Sequence, residues 1–257
     1  MSVSGHPVEG KPSQNIGFLD NLDDDLITIE HMESIIWHAL NDEINQQKVR
    51  DLAKQIAKSN IYVTPTLVVH DNLNNIILSK GEHANRLDME LYNPLVEFLD
   101  QSTYEYWASY QGDFKDNMNS YYQRCLKIFS EEGVKLSFGT DAGAVSTVPG
   151  ASAIKELELY IKSGLTPYEA IYSATVASAT ALGLQNMIGK VSEGYTADLV
   201  LVEGNPLDNI TTLKNPIGVI RGGVWFNETK IEQLRDTAKD ASFYRSAIRG
   251  INFFINK

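Results

Sequence analysis

Three side chains that can bind a metal ion or move a proton stand at similar places in this sequence. His6, His31 and Asp141 each follow a short run of residues typical of a β-strand. If these strands are parallel, their carboxyl ends meet at one face, where α/β enzymes carry their reactive groups. Two imidazoles and a carboxylate suit Zn²⁺ or a similar divalent ion, which lowers the pKa of a bound water toward neutrality. The carboxylate would then accept and relay the proton of that water, so the pattern indicates metal-assisted hydrolysis.

Two of these residues also have an ordinary structural interpretation. Asp141 stands in a glycine-rich turn at residues 139–144, where it could cap the next helix or tighten the turn. His6, near the start of the chain, is typical of a surface histidine. In a third interpretation the turn binds a phosphate group, but this gives the two histidines no role.

The elements that would position these residues alternate between strands and helices. Strands are predicted at residues 2–5, 26–29, 61–64 and 134–138, from their small, β-branched and apolar residues. Between and after them, helical periodicity is found in segments around residues 49–56, 120–132, 154–161 and 170–182. Thr166, Pro167 and Glu169 form a predicted capping box at the start of the last helix. This order predicts an α/β fold with a parallel sheet or barrel, of which four strands can be counted.

A long aromatic segment at residues 70–119 separates the third and fourth predicted strands. Helical pieces are expected in it, and it either shapes a substrate site or packs on itself. His70 and His83 lie in this polar stretch and are expected to be exposed to solvent. Cys125 has apolar neighbours at helical spacing and is expected to be a packed core thiol rather than a nucleophile.

The pattern changes from residue 188 onward. Short strands are predicted at residues 189–194 and 196–202, and a hairpin at 216–226 turns around Arg221 and Gly222. Residues 231–257 read as a helical tail with an aromatic end that docks on the body or mediates self-association.

Composition narrows the classes of function. The formal net charge of -11 argues against nucleic acid and anionic membranes as partners, because both would repel the chain. A single cysteine excludes an internal disulfide and a cysteine-based zinc cluster. The sequence contains no run long and apolar enough to span a bilayer, and its first residues do not resemble a signal peptide. A cytoplasmic location is the default, and the location is unknown if an upstream signal segment has been lost.

Several motifs together resemble the amidohydrolase superfamily, in the branch related to imidazolonepropionases and Xaa-Pro dipeptidases. They are Ser4-Gly-His6-Pro, Ile29-Glu-His31, Phe138-Gly-Thr-Asp141-Ala-Gly, the helical pair at residues 150–170, and the segment at residues 189–206. The first three resemble the ends of the fifth, sixth and eighth barrel strands of that branch. The resemblance covers roughly residues 1–227.

The resemblance implies a partial (β/α)8 TIM-type barrel containing strands five to eight, followed by part of a small β-sandwich. Residues 1–187 would be the C-terminal half of the barrel with its insertion at 70–119, residues 188–230 the partial β-sandwich, and residues 231–257 the helical tail. The resemblance also implies that His6 and His31 bind one metal ion and that Asp141 binds another and serves as the catalytic base. The cofactor implied by the resemblance is a divalent metal, zinc by preference, with one or two ions in the complete site of the family. The implied substrate is a small amide, cyclic amide or dipeptide.

One departure from the family pattern changes the expectation for this chain. Relatives carry His-x-His on an early strand and later a bridging lysine, whereas His38, His70 and His83 are isolated here. The chain is therefore expected to be the C-terminal portion of a longer enzyme. The alternative is a non-catalytic half-barrel that works with a partner, either another copy of itself or a complementing N-terminal half.

Overall fold

Four short parallel strands form one sheet, in the order β1-β2-β3-β4. They are β1 (Val3–Gly5), β2 (Leu26–Glu30), β3 (Tyr62–Thr64) and β4 (Lys135–Leu136). The structure is a computed structural model that describes residues 3–5, 26–41, 43–82, 87–111 and 118–255. His6 and His83 lie outside the described residues. The predicted α/β class is confirmed.

Helices follow the parallel strands β2, β3 and β4. Helices α1 (Met32–Leu40) and α2 (Gln46–Ile56) connect β2 to β3, and Asn45 caps α2 by accepting hydrogen bonds from the N–H groups of Gln47 and Lys48. Between β3 and β4 lie α3 (Leu67–Leu78), a 3₁₀-helix (Leu87–Leu91), α4 (Pro94–Ala108) and α5 (Met118–Glu131).

The hydrophobic core lies on one face of the parallel sheet. Ile29 and Val63 are paired in register and fully buried, and Leu136 packs against the same core. This face is covered by apolar residues of α1, α2 and α5, because those helices place buried side chains at the helical period. Cys125 belongs to this core, and burial raises the pKa of its thiol to about 12, which confirms the predicted structural role.

Strand β4 is shorter than the predicted strand at residues 134–138. The Ser137 N–H still donates to the Val63 carbonyl, but the Phe138 N–H donates to Ser178 Oγ. The strand therefore ends early because a helix hydroxyl takes over from the neighbouring strand as hydrogen-bond partner.

Three helical segments follow β4 after an irregular loop. They are α6 (Ala151–Lys162), α7 (Pro167–Tyr172) and α8 (Ser178–Ala181), with a π-helical turn (Ser173–Ala177) joining the last two. The predicted capping box is confirmed, since the side chains of Thr166 and Glu169 exchange hydrogen bonds with each other's backbone N–H groups.

A three-stranded antiparallel sheet of β5 (Leu199–Leu201), β6 (Gly218–Arg221) and β7 (Val224–Asn227) comes next. The predicted hairpin is confirmed, with Gly222 and Gly223 at positive φ between β6 and β7. The strand predicted at residues 189–194 is wrong, because this stretch forms turns.

The chain continues through a 3₁₀-helix (Ile210–Lys214) between β5 and β6, and it ends with α9 (Glu228–Lys239) and α10 (Phe243–Ile255). Helix α10 contacts α4 through Phe243, whose ring meets that of Phe98 edge to face. Among the described residues, none of the helices has the length and hydropathy needed to cross a bilayer.

Candidate active site

His31 lies directly after β2, at the carboxyl end of the parallel sheet. Its N–H donates to the Thr64 carbonyl, and the Met32 N–H donates to the Pro65 carbonyl, so the ladder between β2 and β3 continues past both strands. His31 has φ 65°, a left-handed backbone that is uncommon outside glycine. Its side chain is 12% exposed. The sheet thus fixes the backbone of His31 while its ring stays at the edge of the sheet.

The imidazole of His31 is held from one side by two residues. Nδ1 lies 2.5 Å from Thr66 Oγ1 and 3.9 Å from Glu33 Oε1. Thr66 itself has φ 47° and precedes the first turn of α3. Two neighbouring residues with left-handed backbones are a sign of local strain, which folds retain mostly at functional sites.

Asp141 follows β4 in a turn at the same end of the sheet. Its carbonyl accepts a hydrogen bond from the Ala144 N–H, its φ is 50°, and its side chain is exposed. Its carboxylate has no hydrogen bond or ion pair to another described residue. Helix α6 begins with Gly150 at its N-cap, so Asp141 does not cap that helix. The carboxylate of Asp141 is therefore accessible to solvent or to a ligand.

The chain needs a glycine at position 139, just before the turn that carries Asp141. A Cβ added to Gly139 would lie 2.8 Å from Thr64 Cγ2, closer than carbon atoms can pack. The hydroxyls of Thr64 and Ser137 are also hydrogen-bonded to each other at 2.8 Å. The chain that leaves β4 therefore still passes close to the end of β3 at Gly139, and the turn of Asp141 lies beyond the sheet.

The loop after Asp141 is held by residues from the segment between β3 and β4, which the sequence did not single out. Asp100 on α4 accepts a hydrogen bond from the Ser146 N–H at 3.0 Å. Asn72 on α3 donates to the Ser146 carbonyl at 3.2 Å. The Tyr92 hydroxyl lies 3.3 Å from both Asp100 Oδ2 and the Gly143 carbonyl. Residues between β3 and β4, on α3, on α4 and just before α4, thus support the turn that carries Asp141.

A buried carboxylate fixes the start of α3, next to the partner of His31. Glu156 on α6 is fully buried and accepts hydrogen bonds from the N–H groups of Leu67 and Val68 at 2.9 and 2.6 Å. The N–H groups of the first turn have no partner within their own helix, and negative charge is favoured at this end. Burial nevertheless raises the pKa of this carboxyl to about 8, and Glu33 and Asp71 act in the same direction.

His70 is buried, so its predicted exposure is wrong. It lies in the first turn of α3, and its ring meets the edge of Tyr122 with centroids 4.6 Å apart. Burial lowers the pKa of His70 to about 4, with Asp71 acting in the opposite direction. The local sequence is polar, but packing against α5 buries the ring, and the histidine is neutral at physiological pH.

Two of the three residues predicted to bind a metal ion lie in the described part of the chain. His31 and Asp141 follow β2 and β4 at the same sheet edge, while His6 falls outside the described part of the chain. Within the described ranges, no three His, Cys, Asp or Glu side chains form a group that could hold a metal ion. Nδ1 of His31 is engaged with Thr66, an arrangement that suits a ligand using Nε2. The donor chemistry therefore fits two positions of a divalent metal site.

Two curated relatives are similar to parts of the chain. Ochratoxinase from Aspergillus niger is 35% identical over 123 residues, which are 47% of this chain and 23% of that protein. Guanine deaminase from Escherichia coli is 30% identical over 133 residues, 49% of this chain and 28% of that protein. The chain thus spans about a quarter of the length of these relatives.

Solved structures share the fold. A Xaa-Pro dipeptidase matches 78% of this chain and 39% of its own, with a TM-score of 0.53 and 22% identity. Bottromycin amidohydrolase matches 84% of this chain and 49% of its own, with a TM-score of 0.61 and 20% identity.

The family model described as "Amidohydrolase family" matches residues 25–226, which include β2 to β6, most of β7, and both His31 and Asp141. This match covers well over half of the chain and agrees with the motifs at those two residues. The chain belongs to the amidohydrolase family.

Proposed function

We propose that this chain takes part in the hydrolysis of a carbon–nitrogen bond in a small amide, cyclic amide or dipeptide. The observation that carries the proposal is the placement of His31 and Asp141, which follow β2 and β4 at one end of a parallel sheet. In barrel enzymes the reactive groups lie at this end. Family membership and the ordered loop around Asp141 support the same role.

A divalent metal ion, zinc by preference, is the cofactor in this proposal. His6 and His31 would bind through imidazole nitrogens and Asp141 through a carboxylate oxygen, a ligand set that suits zinc. When bound, such an ion polarises the substrate carbonyl and makes a water more acidic. Asp141 would accept the proton at a carboxylate oxygen and pass it to the leaving nitrogen. Its exposure at the end of β4 is consistent with that exchange.

We further propose that β1 to β4 correspond to strands five to eight of a (β/α)8 barrel. Residues 1–187 would form this half-barrel with the insertion at 70–119, residues 188–230 a partial β-sandwich, and residues 231–257 a helical tail. The parallel strand order and the similarity to barrel amidohydrolases support this division.

A panel of small amides tests the proposed reaction. The purified chain is incubated with zinc and with N-acyl amino acids, Xaa-Pro dipeptides and cyclic amides, and the released amine is measured. Turnover is expected to need added zinc and to stop when a chelator removes it. Turnover that survives chelation would contradict the metal-dependent chemistry.

The second candidate is a half-barrel that depends on a partner chain carrying the missing strands. Two observations favour it: β1 and β4 each have one neighbour in the strand order, and within the described residues no three His, Cys, Asp or Glu side chains form a group that could hold a metal ion. An open barrel leaves unpaired strand edges, which promote association.

Metal analysis separates the two candidates. If a partner supplies ligands, we expect less than one tightly bound zinc per chain after dialysis, because two or three donors bind weakly. Co-expression with a segment that carries His-x-His is then expected to restore zinc content and turnover. Two tightly held zinc ions in the chain alone would contradict the partner model.

A further inference from the structure

Thr66 is in contact with two groups that compete for its single hydroxyl proton. Its Oγ1 lies 2.9 Å from the Pro65 carbonyl and 2.5 Å from Nδ1 of His31. A carbonyl oxygen can only accept a hydrogen bond, whereas Nδ1 of a neutral histidine either donates or accepts according to the tautomer. The two contacts are satisfied together in one arrangement: the Thr66 hydroxyl donates to the Pro65 carbonyl and accepts from Nδ1–H of His31.

We infer that Thr66 is a positioning residue that holds His31 in the Nδ1–H tautomer, with the lone pair on Nε2. Nε2 is then the nitrogen that can bind a metal ion or accept a proton. In water, neutral histidine favours the opposite tautomer, so the protein must supply the preference. The importance of this tautomer for catalysis rests on the proposed function, but the tautomer itself does not.

The surroundings of His31 agree with a proton on Nδ1. Glu33 Oε1 lies 3.9 Å from Nδ1, and its negative charge favours a donor at that nitrogen. The Pro65 carbonyl also accepts the Met32 N–H at 3.0 Å, which fixes its orientation toward α1 and β2.

Backbone geometry explains how Thr66 comes to lie beside His31. Both residues have left-handed backbones, with φ 47° and 65°, although a β-branched residue such as threonine rarely adopts one. The first turn of α3, immediately after Thr66, is held by Glu156 through the N–H groups of Leu67 and Val68. The strained conformation of Thr66 is therefore held from both sides, and it places the hydroxyl at the imidazole.

Nitrogen NMR of the metal-free chain tests the inference. The protein is labelled with ¹⁵N-histidine, treated with chelator and studied at a pH where the imidazoles are neutral. The His31 signals are identified by their absence in His31→Asn. We expect Nδ1 to be of the protonated type and Nε2 of the unprotonated type. A wild-type His31 that carries its proton on Nε2 would overturn the inference, whatever the activity of the chain.

Substitutions then assign the effect to the hydroxyl. Thr66→Val removes the hydroxyl but keeps a β-branched side chain, so the strain of the left-handed backbone is unchanged. The majority tautomer of His31 is therefore expected to change to Nε2–H. Thr66→Ser is expected to keep the wild-type pattern. Thr64→Val is the matched control, since it removes a buried threonine hydroxyl that bonds to Ser137 rather than to His31.

The outcomes separate this inference from the proposed reaction. A Thr66→Val chain that melts cooperatively and keeps the Nδ1–H tautomer would overturn the role of Thr66. If Thr66→Val does not fold, the wild-type and Thr66→Ser spectra still decide whether Nδ1 carries the proton. A confirmed tautomer in a chain that hydrolyses no amide, either alone or with the co-expressed His-x-His segment, would leave the positioning role standing and contradict the proposed function.

Discussion

Replacing Asp141 by asparagine is expected to lower kcat/KM for an amide substrate by about 10³-fold, within the range that a positioned acid–base group contributes. Asparagine has the size of aspartate but cannot accept a proton, so the change removes the proposed base. It is also one of the residues that best tolerates a left-handed backbone, so φ 50° at this position adds little strain. The loss should therefore appear in turnover and not in the free energy of unfolding.

Two comparisons make this result specific. Asp236→Asn changes an exposed aspartate on α9 in the same way and is expected to leave kcat/KM unchanged. His31→Asn is expected to cause a loss similar to that of Asp141→Asn, and the double variant should be little worse than either one. Residues that act as one unit show this non-additivity. Wild-type turnover in Asp141→Asn, or fully multiplicative losses, would contradict a joint role.

Local sequence patterns predict the fold where the determining contacts are local. The capping box of Thr166 and Glu169 closes within three residues, and the hairpin at Gly222 and Gly223 needs only two residues with positive φ. The predicted length of β4 is wrong for the opposite reason, because a contact distant in sequence determines where the strand ends. Its last residues look like a strand, but the Phe138 N–H bonds to a hydroxyl 40 residues later in the chain. Periodicity cannot anticipate such a partner.

The residues of the candidate site also fall into two groups, those that local sequence predicts and those that it does not. The placement of His31 and Asp141 at the carboxyl end of the sheet could be predicted, because each comes soon after a strand and stands in a recognisable motif. Their supporting residues could not, since Thr66 lies 35 residues from His31, and Glu156 lies 89 residues from the Leu67 N–H it accepts. His70 misleads for a related reason: its neighbours in sequence are polar, while its neighbours in space include Tyr122.

Replacing Glu156 by glutamine is expected to destabilise the fold by about 1–3 kcal/mol at low pH, the cost of leaving a buried polar group badly paired. The carboxyl group accepts from two backbone N–H groups, whereas an amide has one oxygen and would turn its NH₂ group toward the other donor. Glu158→Gln, two residues along the same helix, is the matched control. Glu158 forms an ion pair with Lys214 at the surface, so its loss should cost less than about 1 kcal/mol.

The pH dependence of stability gives Glu156 a signature of its own. Burial raises the pKa of its carboxyl from 4.5 to about 8, so between these values the folded chain holds a proton that the unfolded chain has lost. The stability that this proton provides is present below pH 4.5 and is lost as the pH rises to about 8, by at most roughly 1.4 kcal/mol per pH unit. His70 acts in the opposite direction. Because burial lowers its pKa, its contribution to the free energy of unfolding rises as the pH rises from about 4 to 6.5.

Urea unfolding between pH 6.5 and 8 is therefore the decisive measurement, since the contribution of His70 levels off there and is common to all the chains compared. The wild-type and Glu158→Gln chains should lose stability across this interval, and Glu156→Gln should show a flatter profile. Because Glu156 holds the first turn of α3, just after Thr66, the same loss should loosen the contact that orients His31. A Glu156→Gln chain with the wild-type slope would mean that the carboxyl is ionised throughout, with its two N–H donors outweighing the cost of burial.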